Sequence, residues 1–202
     1  MSTLSEKFAT AGGDVPRTTV AERKSYQIFF DLLVEWNARF NLVSKGSLQI
    51  AFAAHFVDSI WIADGAKAAG IGEHIDLGSG AGFPGLVLAI RHGLPVTLFE
   101  RTGKKRMFLE EVKKTLDLPV QIAEDFQGTK KVCTIMARAV LPPKELFKFL
   151  AVRVPRKSCL VLPLAKETPE SLVGGRFKLE KTLPYSLPEG AGSRTVAIFS
   201  LG

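Results

Sequence analysis

One segment limits the possible folds of this chain more than any other feature. Residues 75–85 read IDLGSGAGFPG, an apolar run that enters three glycines at alternate positions and then a proline. Glycine tolerates positive φ angles and lets backbone come close to a ligand, and proline is favoured in the first turn of a helix. The segment therefore predicts a β-strand, a glycine-rich turn and a helix, and open α/β sheets bind nucleotides at such a turn.

The chain beyond residue 73 alternates short β-type runs with helix-length segments. The runs of β type are 74–77, 95–100, 120–123, 132–137 and 160–164. The helix-length segments are 84–91, 103–116 and 143–153. This alternation predicts βαβ units and a mainly parallel sheet. The last two runs, 176–181 and 195–200, are separated by a loop without helical pattern, which predicts an antiparallel pair at the sheet edge. We therefore expect an α/β, Rossmann-like fold with seven strands.

The first 70 residues have a helical pattern instead. Thr19 and Glu22 have the spacing of a capping box, and aromatic and aliphatic residues recur at helical intervals over 26–40. A second helix is predicted from Ser47 to the glycine-punctuated stretch between Asp64 and Gly72. Its apolar face is expected to contain Ile50, Phe52, Phe56, Ile60 and Trp61. Residues 1–17 show no periodicity and predict a tail or a loosely docked arm.

These patterns divide the chain into an N-terminal tail and helical lobe, residues 1–70, and a Rossmann-like domain, residues 71–202, within one compact unit. Hydrophobic residues make up 46% and charged residues 23%, as in a folded soluble protein. Apolar runs are too short for a membrane span, and the N-terminus does not have the pattern of a signal peptide. The cysteines, Cys133 and Cys159, have no partners at metal-ligand spacing, so we expect a cytoplasmic protein without disulfides or zinc.

The charge distribution indicates a polyanionic partner. Lys and Arg number 27 and Asp and Glu 20, giving a net charge of +7. The basic excess lies within residues 71–202. A concentrated excess of this kind favours binding to nucleic acid, although a charge run on a helix is equally typical of a solvated surface.

The spacing of acidic residues around the glycine turn indicates which nucleotide it binds. A dinucleotide fingerprint would need glycine at position 83, where this chain has phenylalanine. Asp76 on the first strand and Glu100 at the end of the second suit S-adenosylmethionine, with Glu100 accepting hydrogen bonds from both ribose hydroxyls. The alternatives are a ligand-free tight turn and another nucleotide.

Several further motifs resemble a known family. They are WNARFNLVS at 36–44, HFVDS at 55–59, TGKKRMFL at 102–109 and MARA at 136–139. Together with DLGSGAGFPG, they resemble the bacterial glucose-inhibited division protein B family of 16S ribosomal RNA guanine-N7 methyltransferases. The resemblance implies a class I methyltransferase that methylates a guanine in the decoding-centre loop, helix 18. It also implies S-adenosylmethionine as methyl donor, S-adenosylhomocysteine as product and no metal. The implied partner is 16S ribosomal RNA or the small subunit, with no membrane partner, and we expect a monomer.

The resemblance also implies site residues. The expected cofactor-binding residues are Asp76, Gly78, Ser79, Gly80, Phe83, Glu100, Ala123, Glu124 and Arg138. The expected catalytic residues are Arg138 and Lys166, whose side chains would orient the base. Lys166 and Arg194 are also the substrate-side residues that the resemblance implies for RNA binding. The basic cluster of Arg101, Lys104, Lys105 and Arg106 is expected to bind RNA phosphates because of its charge. The family motifs in the helical lobe include Asn41, Ser44, His55 and Asp58.

Structural roles are alternatives for some of these residues. Arg138 could instead pair with Asp76 or Glu124, and His55 with Asp58 could form a metal or acid–base pair or a structural hydrogen bond between the lobe and the sheet. The chain departs from the family in having Ile122 where an arginine is frequent. It also has Glu167 after Lys166, and Glu100 where aspartate is common.

Other functions compatible with the same features are methylation of another RNA or of a small metabolite, and a non-catalytic RNA-binding role in ribosome assembly. An oxidoreductase is disfavoured by Phe83.

Overall fold

The computed structural model describes residues 3–12, 15–172 and 175–202, and it confirms the predicted sheet. Seven strands lie in the order β3-β2-β1-β4-β5-β7-β6. Their bounds are β1 Glu73–Leu77, β2 Val96–Phe99, β3 Val120–Ala123, β4 Cys133–Ala137, β5 Cys159–Leu164, β6 Phe177–Ser186 and β7 Ser193–Leu201. Strands β1 to β5 pair in parallel, whereas β7 is antiparallel to both β5 and β6.

The helices of the sheet domain lie where they are predicted, whereas the lobe has more helices than predicted. The helices are α1 Leu4–Thr10, α2 Val20–Phe40, α3 Lys45–Gln49, α4 Asp58–Ala69, α5 Gly85–His92, α6 Gly103–Leu116 and α7 Pro143–Ala151, with a π-helical turn at Phe52–Val57 and a 3-10 turn at Pro169–Leu172. Helix α2 begins at the predicted capping box of Thr19 and Glu22. It ends at Asn41, which adopts a left-handed φ of 49°. None of the described helices is both long and apolar enough to span a bilayer.

The sheet has an apolar core on each face. Helices α4, α5 and α6 cover one face, where Leu98 and Met136 are fully buried, and α2 packs against α5 and α6. Helix α7 covers part of the other, against Ile135 and Leu160. The central strands β4 and β5 are buried on both faces, which explains their nearly continuous apolar sequence.

The helical lobe and the sheet domain share the first of these cores. Phe29 of α2 stacks on Phe83, the residue before α5, with ring centroids 4.8 Å apart. Phe56, in the π-helical turn, meets the same Phe83 ring edge-on at 5.1 Å. The hydrophobic core is therefore shared across the boundary that the sequence suggests at residue 70 between the helical lobe and the sheet domain.

The expectation that residues 1–17 form a tail is wrong for residues 4–10, which form helix α1. Thr3 Oγ1 accepts a hydrogen bond from the Glu6 N–H, and the Glu6 carboxylate accepts one from the Thr3 N–H. Leu4 and Phe8 are buried, and the Phe8 ring lies 5.4 Å from that of Tyr26. The capping-box spacing and the i, i+4 apolar pair were visible in the sequence, but the segment is too short to predict a helix by periodicity.

The predicted second helix is wrong in detail. Helix α3 begins before Ser47 and ends at Gln49, and Ile50, expected on the apolar face, is 49% exposed. The prediction is confirmed for Phe52, Phe56 and Ile60, which are buried. The chain then forms the π-helical turn and continues directly as α4. One π turn shifts the helical register, which a search for a 3.6-residue period does not detect. It brings His55 and Asp58 to the carboxyl edge of the sheet.

Candidate active site

The glycine turn after β1 has a backbone that glycine alone adopts readily. Gly78, Gly80 and Gly82 have φ angles of 70°, 57° and 95°. A β-carbon at Gly78 would lie 2.6 Å from Val140 Cγ2, and one at Gly82 would overlap the Leu86 side chain. One at Gly80 would meet no atom closer than 3.9 Å, so the turn is open to a ligand at that residue.

Asp76 lies beneath this turn and fixes its exit into α5. Its Oδ2 accepts a hydrogen bond of 2.9 Å from the Gly85 N–H, and the side chain is fully buried. Burial raises the pKa of Asp76 to about 6, against the opposing effect of the Gly85 hydrogen bond. Within the described residues Oδ1 has no hydrogen-bond partner. The sequence predicts a cofactor contact for Asp76, and the structure shows a carboxylate that shapes the turn.

Glu100, at the end of β2, holds the turn from the other side. Its Oε2 accepts from the Gly80 N–H at 2.9 Å and its Oε1 from the Thr102 N–H at 2.8 Å. Each oxygen keeps a second lone pair, so the carboxylate can still accept bonds from a diol. Glu100 lines a cavity of about 330 Å³ together with Gly78, Phe126 and Phe149.

A second cavity lies across the segment that follows β4. It measures about 440 Å³ and shares Val140 and Leu141 with the first. Its polar lining includes Arg138, Arg194 and Asp58. The Glu100 carboxylate thus lies on one side of this segment, and the guanidinium groups of Arg138 and Arg194 lie on the other.

Arg138 is held by the helical lobe. Its Nη1 donates to the Ala54 carbonyl at 2.8 Å and to Asp58 Oδ2 at 3.2 Å. Its Nη2 lies 3.2 Å from His55 Nδ1. The alternative that Arg138 pairs with Asp76 or Glu124 is wrong, because Arg138 pairs with Asp58, while Glu124 pairs with Arg106.

Asp58 is the centre of this network. Its Oδ1 accepts from the Tyr185 hydroxyl at 2.6 Å and lies 3.2 Å from Arg194 Nε. Burial and the neighbouring carboxylate raise the pKa of Tyr185, which therefore stays a hydroxyl donor. The expected structural hydrogen bond between the lobe and the sheet is thus confirmed. Within the described residues, no group of three potential His, Cys, Asp or Glu ligands could hold a metal ion.

His55 is neutral, and its proton can be assigned. A guanidinium only donates, so Nδ1 accepts from Arg138 and the proton is on Nε2, which donates to Ser47 Oγ. Burial, and then Arg138, lower the pKa of His55 to about 4. The imidazole also stacks on Phe83 with centroids 5.0 Å apart. Both nitrogens are occupied, so His55 orients Arg138 instead of exchanging protons.

The remaining expected cofactor residues have mixed positions. Ser79 is buried and donates to the Asp76 carbonyl. The Phe83 ring is enclosed between Phe29 and His55, so a ligand could meet only its backbone. Ala123 accepts the Glu100 N–H through its carbonyl, and Glu124 lines the smaller cavity.

The expected RNA-binding residues are partly engaged within the protein. Arg106 donates to the Glu100 and Arg101 carbonyls and pairs with Glu124 at 3.3 Å. Arg101 pairs with Asp125 at 2.9 Å but is 82% exposed. The exposed Lys104 lies over the Phe40 ring, and Lys105 is half-buried. Lys166 is exposed and lines a groove with Arg194 that adjoins the larger cavity.

Sequence reasoning missed three side chains, two at the smaller cavity and one, Tyr185, in the groove beside the larger cavity. Tyr185 carried no signal, because its partner Asp58 lies 127 positions away in the chain. Phe126 and Phe149 are ordinary core residues by pattern, although they line the smaller cavity. Asp58 was singled out in the HFVDS motif for a structural hydrogen bond, but its contacts with Arg194 and Tyr185 were not predicted.

Comparisons with known proteins give a consistent picture. The model of the family GidB, described as rRNA small subunit methyltransferase G, matches residues 22–172. The chain also matches proteins from several bacteria that are named ribosomal RNA small subunit methyltransferase G. The Paramagnetospirillum magneticum protein is 39% identical over 58% of this chain and 55% of its own length. The Gluconobacter oxydans protein is 38% identical over 65% and 70%. The Methylobacterium protein is 32% identical over 85% and 82%. The match therefore spans little more than half of the first of these relatives.

Solved structures share the fold at low sequence identity. TrmN from Thermus thermophilus has a TM-score of 0.57 at 13% identity, covering 75% of this chain and 53% of that chain. An O-methyltransferase from Bacillus cereus in complex with SAH has a TM-score of 0.55 at 12% identity, covering 87% and 91%.

Proposed function

This chain belongs to the rRNA small subunit methyltransferase G family, and from that premise we propose that it methylates N7 of a guanine in 16S ribosomal RNA. The methyl donor is S-adenosylmethionine, and the target lies in the decoding-centre loop, helix 18. The observation that carries the proposal is the pair of adjoining cavities, one beside the Glu100 carboxylate and one lined by Arg138 and Arg194.

The smaller cavity fits the nucleoside part of S-adenosylmethionine. Glu100 offers free lone pairs for ribose hydroxyls, and the open backbone at Gly80 lies next to it. Phe126 and Phe149 provide apolar surface for a purine, with Glu124 at the rim. When bound, S-adenosylmethionine supplies a methyl group on a positively charged sulfur and leaves as S-adenosylhomocysteine.

The larger cavity fits the guanine. N7 carries a lone pair and no proton, so the reaction needs no general base, consistent with a neutral His55 whose nitrogens are both occupied. Guanine O6 is an acceptor that arginine donors bind well. Arg138 and Arg194 orient the ring, which lowers the entropic barrier to transfer. Their positive charge also disfavours retention of the cationic 7-methylguanine product.

The base must leave an RNA stack to enter this cavity. The deep groove of A-form RNA hides N7, so a guanine in a loop is the accessible substrate. The phosphate contacts come from exposed Lys166 beside the larger cavity, from Arg101 at the rim of the smaller cavity, and from exposed Lys104.

The test is transfer of labelled methyl from S-adenosylmethionine into small ribosomal subunits from cells that lack this gene, followed by mass spectrometry of the nucleosides. We expect 7-methylguanosine. Transfer to no subunit or RNA, despite cofactor binding, would contradict the proposal, and a different methylated nucleoside would point to another acceptor.

Variants of Glu100 link the activity to the smaller cavity. Glu100→Ala is expected to abolish transfer and leave RNA binding intact, whereas Glu100→Asp keeps a carboxylate and retains activity. Glu110→Ala, on the exposed face of α6 where Glu110 pairs with Lys113, is the matched control and is expected to behave as wild type.

A further inference from the structure

A single buried carboxylate holds both arginines of the larger cavity. The Asp58 side chain is 5% exposed, yet it contacts Arg138 at 3.2 Å and Arg194 at 3.2 Å. These arginines come from different strands, since Arg138 follows β4 and Arg194 lies in β7. Asp58 itself comes from α4, so it ties the helical lobe to two distant strands.

The charge balance makes this carboxylate necessary. Two partly buried guanidinium groups lining one cavity repel each other and have lost part of their hydration. Asp58 offsets this cost with one carboxylate, which leaves a net positive charge in the cavity. Without the Asp58 carboxylate, the side chains of Arg138 and Arg194 would be more stable when they extend into solvent.

The same contacts leave donors free for a ligand. Arg194 uses Nε on Asp58, and its two terminal nitrogens have no hydrogen-bond partner within residues 3–12, 15–172 and 175–202. Guanidinium groups donate and never accept. A base with an acceptor at position 6, as in guanine, is therefore favoured over adenine, whose 6-amino group donates.

Tyr185 fixes the orientation of the carboxylate. Its hydroxyl donates to Asp58 Oδ1 at 2.6 Å, and its ring stacks on Trp61 at a centroid distance of 5.2 Å. Trp61 lies in α4, one helical turn after Asp58. The carboxylate is thus held by its own helix and by β6.

We propose that Asp58, supported by Tyr185, is a positioning residue that holds the donors of Arg138 and Arg194 against the 6-oxo group of the target guanine. This inference rests on the proposed function, and it adds a determinant of base selection that acts through the two arginines.

The test compares Asp58→Asn with Asp64→Asn. Asp64 is on the same helix and is likewise paired with an arginine, Arg91, at 2.6 Å, but it does not line either cavity. For Asp58→Asn we expect kcat for methyl transfer to fall about a hundredfold, with the Kd of S-adenosylmethionine unchanged. Asp64→Asn is expected to lower the melting temperature and keep kcat.

A second readout uses subunits reconstituted with 2-aminopurine, which lacks the 6-oxo group, in place of the target guanine. The wild type is expected to lose activity on this substrate, and Asp58→Asn to show little additional loss, because the two changes remove the same contact. A merely structural role of Asp58 would instead give independent, additive losses.

Several outcomes would overturn the inference. One is wild-type kcat in Asp58→Asn, and another is an equal loss in Asp64→Asn. Should Asp58→Asn not fold, Tyr185→Phe decides, since it removes a single hydroxyl and is expected to lower kcat about tenfold; an unchanged kcat contradicts the inference. A wild-type protein that methylates no guanine refutes the proposed function and the inference together, whereas an active wild type with an active Asp58→Asn refutes the inference alone.

Discussion

Two glycines that begin neighbouring helices should respond in opposite ways to the same substitution. Gly85 begins α5 and Gly103 begins α6, and neither has a positive φ. A β-carbon at Gly85 would lie 2.6 Å from Asp76 Oδ2 and would overlap Leu98, whereas one at Gly103 would meet no atom within 4 Å. Helix propensity favours alanine at both positions, so the difference comes from packing alone.

The expected magnitudes follow from these contacts. Overpacking of a rigid core costs about 1–3 kcal/mol, and disturbing the bond from Gly85 to the buried Asp76 carboxylate adds about 1 kcal/mol or more. We expect Gly85→Ala to lower the free energy of unfolding by about 3 kcal/mol. Gly103→Ala restricts the unfolded chain without causing a clash in the folded one, and it is expected to raise the free energy of unfolding by about 0.5 kcal/mol.

Urea denaturation followed by circular dichroism measures both values, and the slope m shows whether the unfolded states remain comparable. If the free energies of unfolding of Gly85→Ala and Gly103→Ala lay within about 1 kcal/mol of each other, the reasoning would be refuted, since the turn would then have room that the structure does not show.

Three further predictions concern charged groups. The pKa of His55 is about 4 when folded and 6.5 when unfolded, so stability should fall by up to about 3 kcal/mol as the pH drops from 6.5 to 4; His55→Gln should abolish this loss in pH-dependent urea melts. The pKa of Asp76 is raised from 3.8 to about 6, so its contribution to stability decreases as the pH rises through that interval. At pH 8, Asp76→Asn should therefore be more stable than wild type by up to about 3 kcal/mol. Its weaker hydrogen bond with the Gly85 N–H reduces this gain, and the gain should vanish below pH 4. Lys166→Met should weaken RNA binding and lower the slope of log affinity against log salt by about 1, whereas Lys131→Met, which removes an exposed lysine paired with Glu73, should leave the slope unchanged.

The local elements of this protein follow from its sequence. The glycine turn after β1, the capping box of α2 and the alternation of strands and helices are short-range patterns, and the structure has each of them. The proximity of Glu100 to the glycine turn also follows, because the carboxyl ends of neighbouring parallel strands meet at one edge of the sheet. The sequence therefore determined the fold class and one side of the candidate site.

The other side of the site was decided by tertiary structure. Asp58 lies 80 positions from Arg138 and 127 from Tyr185, and a π-helical turn with no clear periodic signature sets which way its carboxylate faces. The tautomer of His55 depends in turn on where Arg138 donates. The periodicity of a sequence shows which face of a helix or strand is buried. It does not show which distant side chains contact the same buried carboxylate, because those contacts form only when the elements pack against each other.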